Sequence, residues 1–478
     1  MSLPPVLRRE DFRLVMTGGF GDHTCRIAQA MAWFRGALYV GTGGRSLNPL
    51  GLSDAALERL GPLARAALLR GQAGAADAAP GGASIWRLTP DDGRWTKVFQ
   101  TPMVEIAGRP VPRDRNIRAS LVMTEPDGAE ALYFGVSAMK GRLRLIRTQD
   151  GLTFDEAPVT GLGLPEGSDV PSIRTLLAAD GSVFTSPVGM IEGRGMLDDN
   201  MSAFPMVFRA SHPFASDWQA VSLPGFGDPD NLSVNEMAAL EGWLYAGTLN
   251  IRSGAQLWRC PMDDLRPARW EQVFRAGADL GPAASIVSAM LPFQGRLYVA
   301  TGLQRQGKTG IDRYGPVGGE VLRIDPSGRW DLVCGQNRAT SAGWKPPLSG
   351  LGASFGMSTA RGVWHMAEYG GRIYAGGADW RMFQSYLPPP GSRLPVSAIA
   401  TMRARHAAYQ GGFPLWASDD GITWQVVTSD GFEANPETGG ARFLQASPCG
   451  LFLGTSSTGR TAALGGVQVW QAGEGVHV

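Results

Sequence analysis

The sequence has little cysteine, little histidine and almost no lysine. Its 478 residues include four cysteines and five histidines, and the cysteines show no Cys-x-x-Cys spacing. A chain of this length with so few, scattered cysteines carries neither a disulfide framework nor a typical zinc signature. The histidines occupy unlike positions, so we predict no metal site and no cofactor. Cys25 is expected to be a small buried hydrophobic residue.

Excess charge and long apolar runs are also missing. The net charge is +1, which provides no basic surface for nucleic acid. No run approaches the roughly 18 apolar residues of a membrane span, and residues 1–16 contain no apolar core like that of a signal peptide. We therefore expect a soluble, cytoplasmic protein that binds neither nucleic acid nor membranes.

Glycine and proline are abundant, with 65 and 33 residues, and they separate short β-favouring runs that form a repeat. The clearest copy lies between Gly225 and Val273. It predicts four strands, listed by their bounds: Asn235–Ala239, Trp243–Thr248, Ala255–Arg259 and Trp270–Phe274. The second-strand pattern, ALYVGT at 37–42, recurs seven times along the chain. The repeat therefore predicts an all-β protein.

The fourth strand follows only six of the seven copies. The segment FRLVMTGGFGD (12–22) matches WQAVSLPGFGD (218–228), which contains a fourth strand. The chain thus begins with the strand that its last copy lacks, and pairing Phe12–Val15 with Val467–Gln471 would close a ring and remove its exposed edge. We predict a single seven-bladed β-propeller. The predicted closing strand is 11–17 and the blades are 26–100, 115–160, 172–222, 231–275, 284–335, 360–428 and 441–473.

Two turns resemble the Asp box of bacterial propellers such as sialidases. The segment ASDDGITW (417–424) matches the box with Asp419 in the aspartate position, and RTQDGLTF (147–154) is a degenerate copy with Gln149 there. The resemblance implies a structural turn between third and fourth strands, and it carries over no catalytic residue. Sialidases resemble six-bladed rings, whereas seven repeats are counted here.

All long insertions fall on one face of the predicted propeller. Blade 1 carries 43–82, which reads as two short helices, and blade 6 carries 378–411, with a helix compatible with Val396–Tyr409. Further long loops are 188–204, 303–318 and 336–359. Long loops over a rigid scaffold frequently carry function, so this face is the predicted binding face.

Arginine recurs at the start of the innermost strands of this face. Five blades are interpreted as placing an arginine at one equivalent position, namely Arg26, Arg118, Arg174, Arg361 and Arg442. Converging guanidinium groups would bind a carboxylate, phosphate or sulfate. The alternative is that each arginine pairs with a loop aspartate, with these candidates: Asp22, Asp114, Asp169, Asp228 and Asp230.

Acid–base candidates lie near the same mouth. These are His23, Glu236, His365 and Tyr314, and Asp312 and Trp380 are further substrate-binding candidates. For His365 the alternative is a packed histidine beside Trp364, and for Asp312 and Tyr314 it is a loop-ordering role.

Two functions remain open. The first is a cofactor-independent enzyme, of lyase, isomerase, cyclase or hydrolase type, acting on a small anionic or polar molecule beneath the insertions. The second is a non-catalytic binding module for a protein or glycan partner. An enclosed pocket would favour the first, and an exposed apolar patch the second.

Overall fold

The computed structural model describes residues 4–44, 82–106, 109–138, 143–164, 172–189, 200–304, 316–341, 343–383, 386–387 and 394–473. These residues form a mostly β structure of successive antiparallel units, each with the strand order of its sequence. The predicted helices of the 43–82 insertion lie outside the described residues.

The first four units each contain four strands. Unit 1 consists of β2 Ile27–Phe34, β3 Ala37–Gly43, β4 Ser84–Thr89 and β5 Arg94–Gln100. Unit 2 consists of β8 Asp114–Thr124, β9 Glu130–Ala138, β10 Arg144–Thr148 and β11 Asp155–Pro158. Unit 3 consists of β12 Ser172–Ala179, β13 Ser182–Val188, β14 Phe208–Ala210 and β15 Gln219–Ala220. Unit 4 consists of β16 Ser233–Leu240, β17 Trp243–Leu249, β18 Leu257–Pro261 and β19 Glu271–Phe274.

The remaining units continue the same order. Unit 5 consists of β20 Ile286–Phe293, β21 Arg296–Gly302, β22 Glu320–Ile324 and β23 Trp330–Cys334. Unit 6 consists of β26 Ala360–Tyr369, β27 Arg372–Asp379, β28 Leu415–Ser418 and β29 Gln425–Thr428. Unit 7 consists of β30 Thr438–Ser447, β31 Gly450–Ser457, β32 Val469–Ala472 and the N-terminal β1 Arg13–Met16. Two separate hairpins are β6 Met103–Ile106 with β7 Arg109–Pro112, and β24 Arg338–Thr340 with β25 Gly343–Lys345.

Helical segments are few among the described residues. The long one, Val396–Ala407, lies in the insertion of unit 6 where the sequence predicts a helix. A single helical turn covers Ala276–Asp279. The 3-10 segments are Arg9–Asp11, Gly18–Gly21, Pro224–Gly227, Met262–Asp264, Pro267–Arg269, Gly281–Ala284, Ala353–Gly356 and Trp380–Met382.

The chain termini meet in unit 7. Arg13 pairs with Gln471 and Leu14 with Trp470 in an antiparallel register. At the other edge of unit 7, Ser456 of β31 pairs with Ile27 of β2, so the last unit contacts the first.

The hydrophobic core is divided among clusters that lie between consecutive units. One cluster packs Ile117 and Phe134 of unit 2 against Ala30 and Tyr39 of unit 1. Another packs Phe452 and Val469 of unit 7 against Met31 and Val40 of unit 1. Burial of apolar area between neighbouring units is the main stabilising contribution in such an arrangement.

The glycine of the second-strand pattern is explained by this packing. A Cβ at Gly41 would lie 2.5 Å from Cγ2 of Ile117 in unit 2, and one at Gly135 would lie 2.7 Å from Cγ2 of Ile173 in unit 3. No side chain fits at these contacts, because the first strand of the next unit lies directly against the glycine. The recurrence of Gly in this strand therefore reflects the distance between units.

Phenylalanine residues in the loops before units 1, 4 and 6 lie between the aromatic residues of the third and fourth strands. The ring-centre distances are 4.6 and 5.0 Å from Phe20 to Trp86 and Trp95, 5.1 and 5.0 Å from Phe226 to Trp258 and Trp270, and 4.9 and 4.5 Å from Phe355 to Trp416 and Trp424. In unit 7, Phe432 lies 5.0 Å from Trp470 and 4.3 Å from Phe12. Phe12, directly before β1, thus stands where the other units have a fourth-strand tryptophan.

The two turns that resemble Asp boxes are closed by a different aspartate from the one assigned above. Oδ1 of Asp420 accepts hydrogen bonds from the backbone N–H groups of Ile422 and Thr423, at 2.8 and 2.7 Å. Asp150 does the same for the two equivalent residues of its turn. Asp419 instead pairs with Arg372. The aspartate that closes each turn therefore lies one residue after the position that the Asp-box match gives to Asp419 and Gln149, directly before the glycine, where its carboxylate reaches both N–H groups.

Candidate functional site: a cavity at the centre of the units

The first strand of each unit contains a β-bulge, and its extra residue is left without a partner on the second strand. These extra residues are Gln29, Arg118, Arg174, Asn235, Ser288, Trp364 and Arg442. A bulge re-aims a side chain and is common next to functional sites. Six of the seven side chains line one cavity, whereas Asn235 is fully buried and donates through Nδ2 to the carbonyl of Val287 at 2.7 Å.

The cavity has a volume of about 340 Å³, within the range of small-molecule sites. Units 2, 3 and 7 contribute Arg118, Arg174 and Arg442, together with Asn200 from the loop of unit 3. Units 5 and 6 contribute a wall in which apolar and polar side chains are mixed: Ile286, Leu303, Val363, Trp364, Trp380 and Phe383 with Ser288, Thr301, Gln304 and Arg361. One side of the cavity therefore carries three arginines, and the other carries the aromatic and aliphatic residues together with one arginine and a few neutral polar groups.

Arg118 and Arg174 converge on the side chain of Asn200. Its Oδ1 accepts a hydrogen bond from Nη2 of Arg118 at 2.6 Å and another from Nη1 of Arg174 at 2.9 Å. Arg174 also reaches Glu236, with Nη2 3.4 Å from Oε1. Arg118 donates further to Oγ of Ser172. Two guanidinium groups thus share one neutral oxygen acceptor in the cavity wall.

Arg442 has a different environment. Among the described residues it forms no hydrogen bond and no ion pair, although its guanidinium lies 5.9 Å from the ring centre of Trp364. Burial lowers the pKa of Arg442 to about 9, and the positive charge of Arg174 acts in the same direction, while Glu236 opposes it. This is a cation whose charge is poorly compensated, which is the environment that favours binding of an anion.

Arg361 is held by three aromatic rings. Its guanidinium carbon lies 5.3 Å from the ring centre of Trp380, 5.4 Å from that of Phe383 and 5.7 Å from that of Trp364. Nη2 donates to the carbonyl of Leu303 at 3.1 Å. Cation–π contacts of this kind orient a guanidinium while it remains able to donate in its plane.

The insertion of unit 6 supports this wall. Trp380 is 1% exposed and donates through Nε1 to the carbonyl of Val317 at 2.9 Å. Met402, on the helix Val396–Ala407, packs in the same small apolar cluster as Trp380 and Leu303. Residues of two insertions therefore form a compact support beside the cavity.

Glu236 and His365, two of the acid–base candidates, each directly follow a bulge residue. Burial raises the pKa of Glu236 above its ordinary value although Arg174, Arg442 and Arg118 act to lower it. Burial and, to a lesser extent, the charge of Arg442 lower the pKa of His365 to about 3. His365 stacks on Phe443 at 4.0 Å, and its Nδ1 accepts from the backbone N–H of Leu444. These contacts are those of a neutral, packed histidine between units 6 and 7.

The other predicted residues are distributed as follows. His23 precedes β2 and is not among the residues that line the cavity. Arg26 donates to the carbonyl of Thr458 at 3.3 Å and also lies outside the lining. Asp312 and Tyr314 lie outside the described residues. Cys25 is 6% exposed in an apolar cluster, as expected, and burial raises the pKa of its thiol to about 12.

The interpretation that five arginines share one structural position was wrong. Arg118, Arg174 and Arg442 occupy equivalent bulges, whereas Arg26 and Arg361 lie three residues before that position, which Gln29 and Trp364 fill in their units; Arg361 stands at a second register shift of its strand. The arginines therefore form two levels. Four of them, all except Arg26, still line the same cavity together with Trp380.

The aspartates considered above as alternative partners of the five arginines contact other residues, where the structure describes them. Asp114 accepts from Arg113 and Arg144, and Asp228 accepts from Gln256. Asp230 pairs with Arg252 and Asp22 accepts from Thr24, while Asp169 lies outside the described residues.

Sequence analysis missed Gln29, Asn200, Ser288, Trp364 and Phe383. A signal for three of them exists: Gln29, Ser288 and Trp364 lie nine residues before the Leu-Tyr or Ile-Tyr pair of their second strand, as do Arg174 and Arg442 before the corresponding pairs. Counting nine positions instead of twelve would have identified the lining. Asn200 and Phe383 come from irregular loops, and no periodic signal points to them.

No metal or membrane feature accompanies the cavity. Within the part of the chain that the structure describes, no group of three or more His, Cys, Asp and Glu side chains could hold a metal ion. Over those same residues, every helix is too short or too polar to cross a membrane.

Comparison with known proteins gives distant structural likenesses alone. No family model matches the chain, and no curated protein matches it. A puromycin hydrolase structure has a TM-score of 0.46 and 13% identity, over 91% of this chain and 51% of that one. The GH74 xyloglucanase from Xanthomonas campestris has a TM-score of 0.43 and 13% identity, over 96% and 55%. A puromycin-hydrolyzing peptidase from Mycobacterium tuberculosis has a TM-score of 0.43 and 11% identity, over 95% and 52%. This chain spans about half the length of these three, whose names describe hydrolases.

Proposed function

We propose that the chain is a closed seven-bladed β-propeller with Asp-box-type turns, and that it binds a small organic anion at its centre. The pairings of β1 with β32 and of β2 with β31 support the closed ring. The sequence match of 417–424 is what supports the Asp-box resemblance, since the turn itself is closed by Asp420.

The observation that carries the binding proposal is the convergence of Arg118, Arg174, Arg361 and Arg442 on one cavity. Glu236 is the described carboxylate that pairs with one of them. Like charges in a partly desolvated site repel one another, and an anionic ligand relieves this repulsion while accepting charge-assisted hydrogen bonds. The poorly compensated charge of Arg442 supports the proposed anion binding most directly.

Binding is tested by calorimetric titration of inorganic phosphate, sulfate and short carboxylates. We expect Arg174→Gln and Arg442→Gln each to weaken binding about 10-fold or more, since a hydrogen bond to a charged group contributes about 1.5–3 kcal/mol. Arg252→Gln is the matched control, because Arg252 is 78% exposed and pairs with Asp230 outside the cavity. Equal effects of the cavity and control substitutions would reject the proposal.

We further propose that the bound anion is the substrate of a cofactor-independent enzyme, with Glu236 as the acid–base group. Glu236 is the candidate in contact with a cavity arginine, and burial raises its pKa, which is the direction expected of a carboxyl group that acts in acid–base catalysis. His365 is less suited, because its ring nitrogen and ring face are engaged by Leu444 and Phe443.

Glu236→Gln separates catalysis from binding. The variant removes a carboxylate that competes with the ligand for Arg174, so anion affinity should rise or stay unchanged while turnover of any substrate found is lost. Retained turnover would remove Glu236 from the mechanism without affecting the binding proposal. A non-catalytic module for a protein or glycan is the second candidate, but a recessed cavity lined by charged side chains favours a small molecule.

A further inference from the structure

The side chain of Asn200 lies where two cavity arginines would be expected to hold an anionic oxygen. Its Oδ1 accepts from Arg118 at 2.6 Å and from Arg174 at 2.9 Å. Guanidinium groups donate most strongly to carboxylate, phosphate or sulfate oxygens, whereas an amide oxygen is neutral. A neutral oxygen accepts from both guanidinium groups but, unlike a carboxylate or phosphate oxygen, adds no negative charge between them.

We propose that Asn200 is a placeholder: an oxyanion of the ligand takes the position of its Oδ1 between Arg118 and Arg174, and the rest of the ligand is an apolar, planar group that lies against the wall of units 5 and 6. This inference rests on the proposed binding function and specifies its ligand class as an amphipathic anion. The shared chemistry of the ionic end is an oxyanion, whether carboxylate or phosphate.

The distribution of side chains in the cavity determines the orientation that we propose for the ligand. The first strands of units 2 and 3, which carry Arg118 and Arg174, are separated from those of units 5 and 6 by unit 4 on one side and by units 7 and 1 on the other. The wall of units 5 and 6 presents Ile286, Leu303 and Val363 with the aromatic rings of Trp364 and Phe383, beside Arg361 and the neutral polar residues Ser288, Thr301 and Gln304. An apolar group of the ligand gains free energy by leaving water against the aliphatic and aromatic part of this wall, where a charged group would lose its hydration.

Asn200→Asp tests the position of the oxyanion, since Asp has nearly the same shape as Asn and places a carboxylate between the two arginines. Thermal unfolding and calorimetric titrations with inorganic phosphate, acetate, phenyl phosphate and phenylacetate are compared for the wild type, Asn200→Asp and Asn200→Ser. We expect Asn200→Asp to unfold at a higher temperature than the wild type without ligand and to bind all four anions at least 10-fold more weakly. Asn200→Ser, which vacates the position, should bind them as well as the wild type or better.

The phenyl probes test the apolar part. Phenyl phosphate and phenylacetate should bind the wild type at least 10-fold more tightly than phosphate and acetate, and Phe383→Ala should lower the affinity for the phenyl probes by a larger factor than the affinity for inorganic phosphate and acetate. If the two phosphates bind more tightly than the two carboxylates, the oxyanion is a phosphate, and the reverse order identifies a carboxylate.

The outcomes separate the two proposals. Binding of none of the four probes by the wild type would reject the proposed binding function. Binding that Asn200→Asp does not weaken would overturn the placeholder role while leaving that function in place. Equal affinities for phenyl and small anions would overturn the apolar part of the inference.

Discussion

The guanidinium of Arg442 in unit 7 lies 5.9 Å from the ring centre of Trp364 in unit 6. Within the described residues this guanidinium has neither a hydrogen bond nor an ion pair. Trp364 also contacts Arg361, with 5.7 Å between guanidinium and ring centre. A single indole thus lies near two cations that repel each other. Two neighbouring cations lower the stability of the ligand-free protein, and an anion bound between them would offset their repulsion. A substitution that removes one of these charges should therefore change stability and anion affinity in opposite directions.

Arg442→Met should stabilise the ligand-free protein and weaken anion binding. Met retains much of the length of the side chain but removes a buried charge, so we expect a gain of about 1–2 kcal/mol in the free energy of unfolding. Urea unfolding measures the stability, and titration with phosphate measures the binding. A variant that is less stable yet binds equally well would indicate a purely structural arginine.

His365 makes stability fall as the pH is lowered. Its pKa is about 3 in the folded protein and about 6.5 when unfolded. Between these values the unfolded state binds one more proton, so the free energy of unfolding decreases with decreasing pH, by up to about 1.4 kcal/mol per pH unit. His365→Phe keeps a ring against Phe443 and cannot titrate.

Urea unfolding of His365→Phe and of the wild type between pH 7.5 and 5 measures this difference. The variant should be slightly less stable at pH 7.5, because the N–H of Leu444 loses its acceptor, but its stability should depend less steeply on pH. Parallel curves for the two proteins would mean that His365 does not remain neutral in the folded state.

Phe12 tests the contribution of the N-terminal strand. It is 6% exposed and stacks on Phe432 in the place of a fourth-strand tryptophan, so Phe12→Ala should lower the free energy of unfolding by about 3 kcal/mol. It should also speed hydrogen exchange in Val469–Ala472, which pairs with β1. Leu14→Ala is the control in the same strand, since Leu14 is 36% exposed, and similar effects of both changes would contradict a specific role for Phe12.

Gly41→Ala tests the packing between units 1 and 2. The new Cβ would lie 2.5 Å from Ile117, so the strands must separate, at a cost of about 1–3 kcal/mol. Gly302 also lies in a second strand, two residues beyond the unit 5 position that is equivalent to Gly41, and a Cβ there would meet its nearest atom at 3.7 Å. Gly302→Ala should therefore change stability by less than about 0.5 kcal/mol, and thermal unfolding of both variants decides whether the contact distance or the loss of glycine itself matters.

Local patterns were sufficient to predict the strand repeat, the helix near Val396 and several cavity residues. Alternating apolar residues and turn residues act over a few positions, so they can be read directly from the chain. The match between 12–22 and 218–228, which predicted the N-terminal strand, extends to the loop conformation, since Phe20 and Phe226 both have positive φ, 62° and 57°.

The detailed arrangement of the site could not be predicted from the sequence. A bulge adds one residue to one strand without changing its composition, so nothing local showed that Trp364, and not Arg361 three residues earlier, is equivalent to the bulge arginines of units 2, 3 and 7. The sequence also could not show which of Asp419 and Asp420 closes the turn, because adjacent aspartates differ only in which N–H groups their carboxylates reach in the folded chain.

By itself the sequence determined the β repeat, the shortage of metal-ligating residues and the set of arginines that could bind an anion, because these depend on composition and short-range periodicity. Tertiary structure alone decided that Arg118 and Arg174 meet at Asn200, that Glu236 pairs with Arg174, and that Arg442 has no such partner among the described residues. Those relationships join residues from different units, and their distances depend on how the units pack around the cavity.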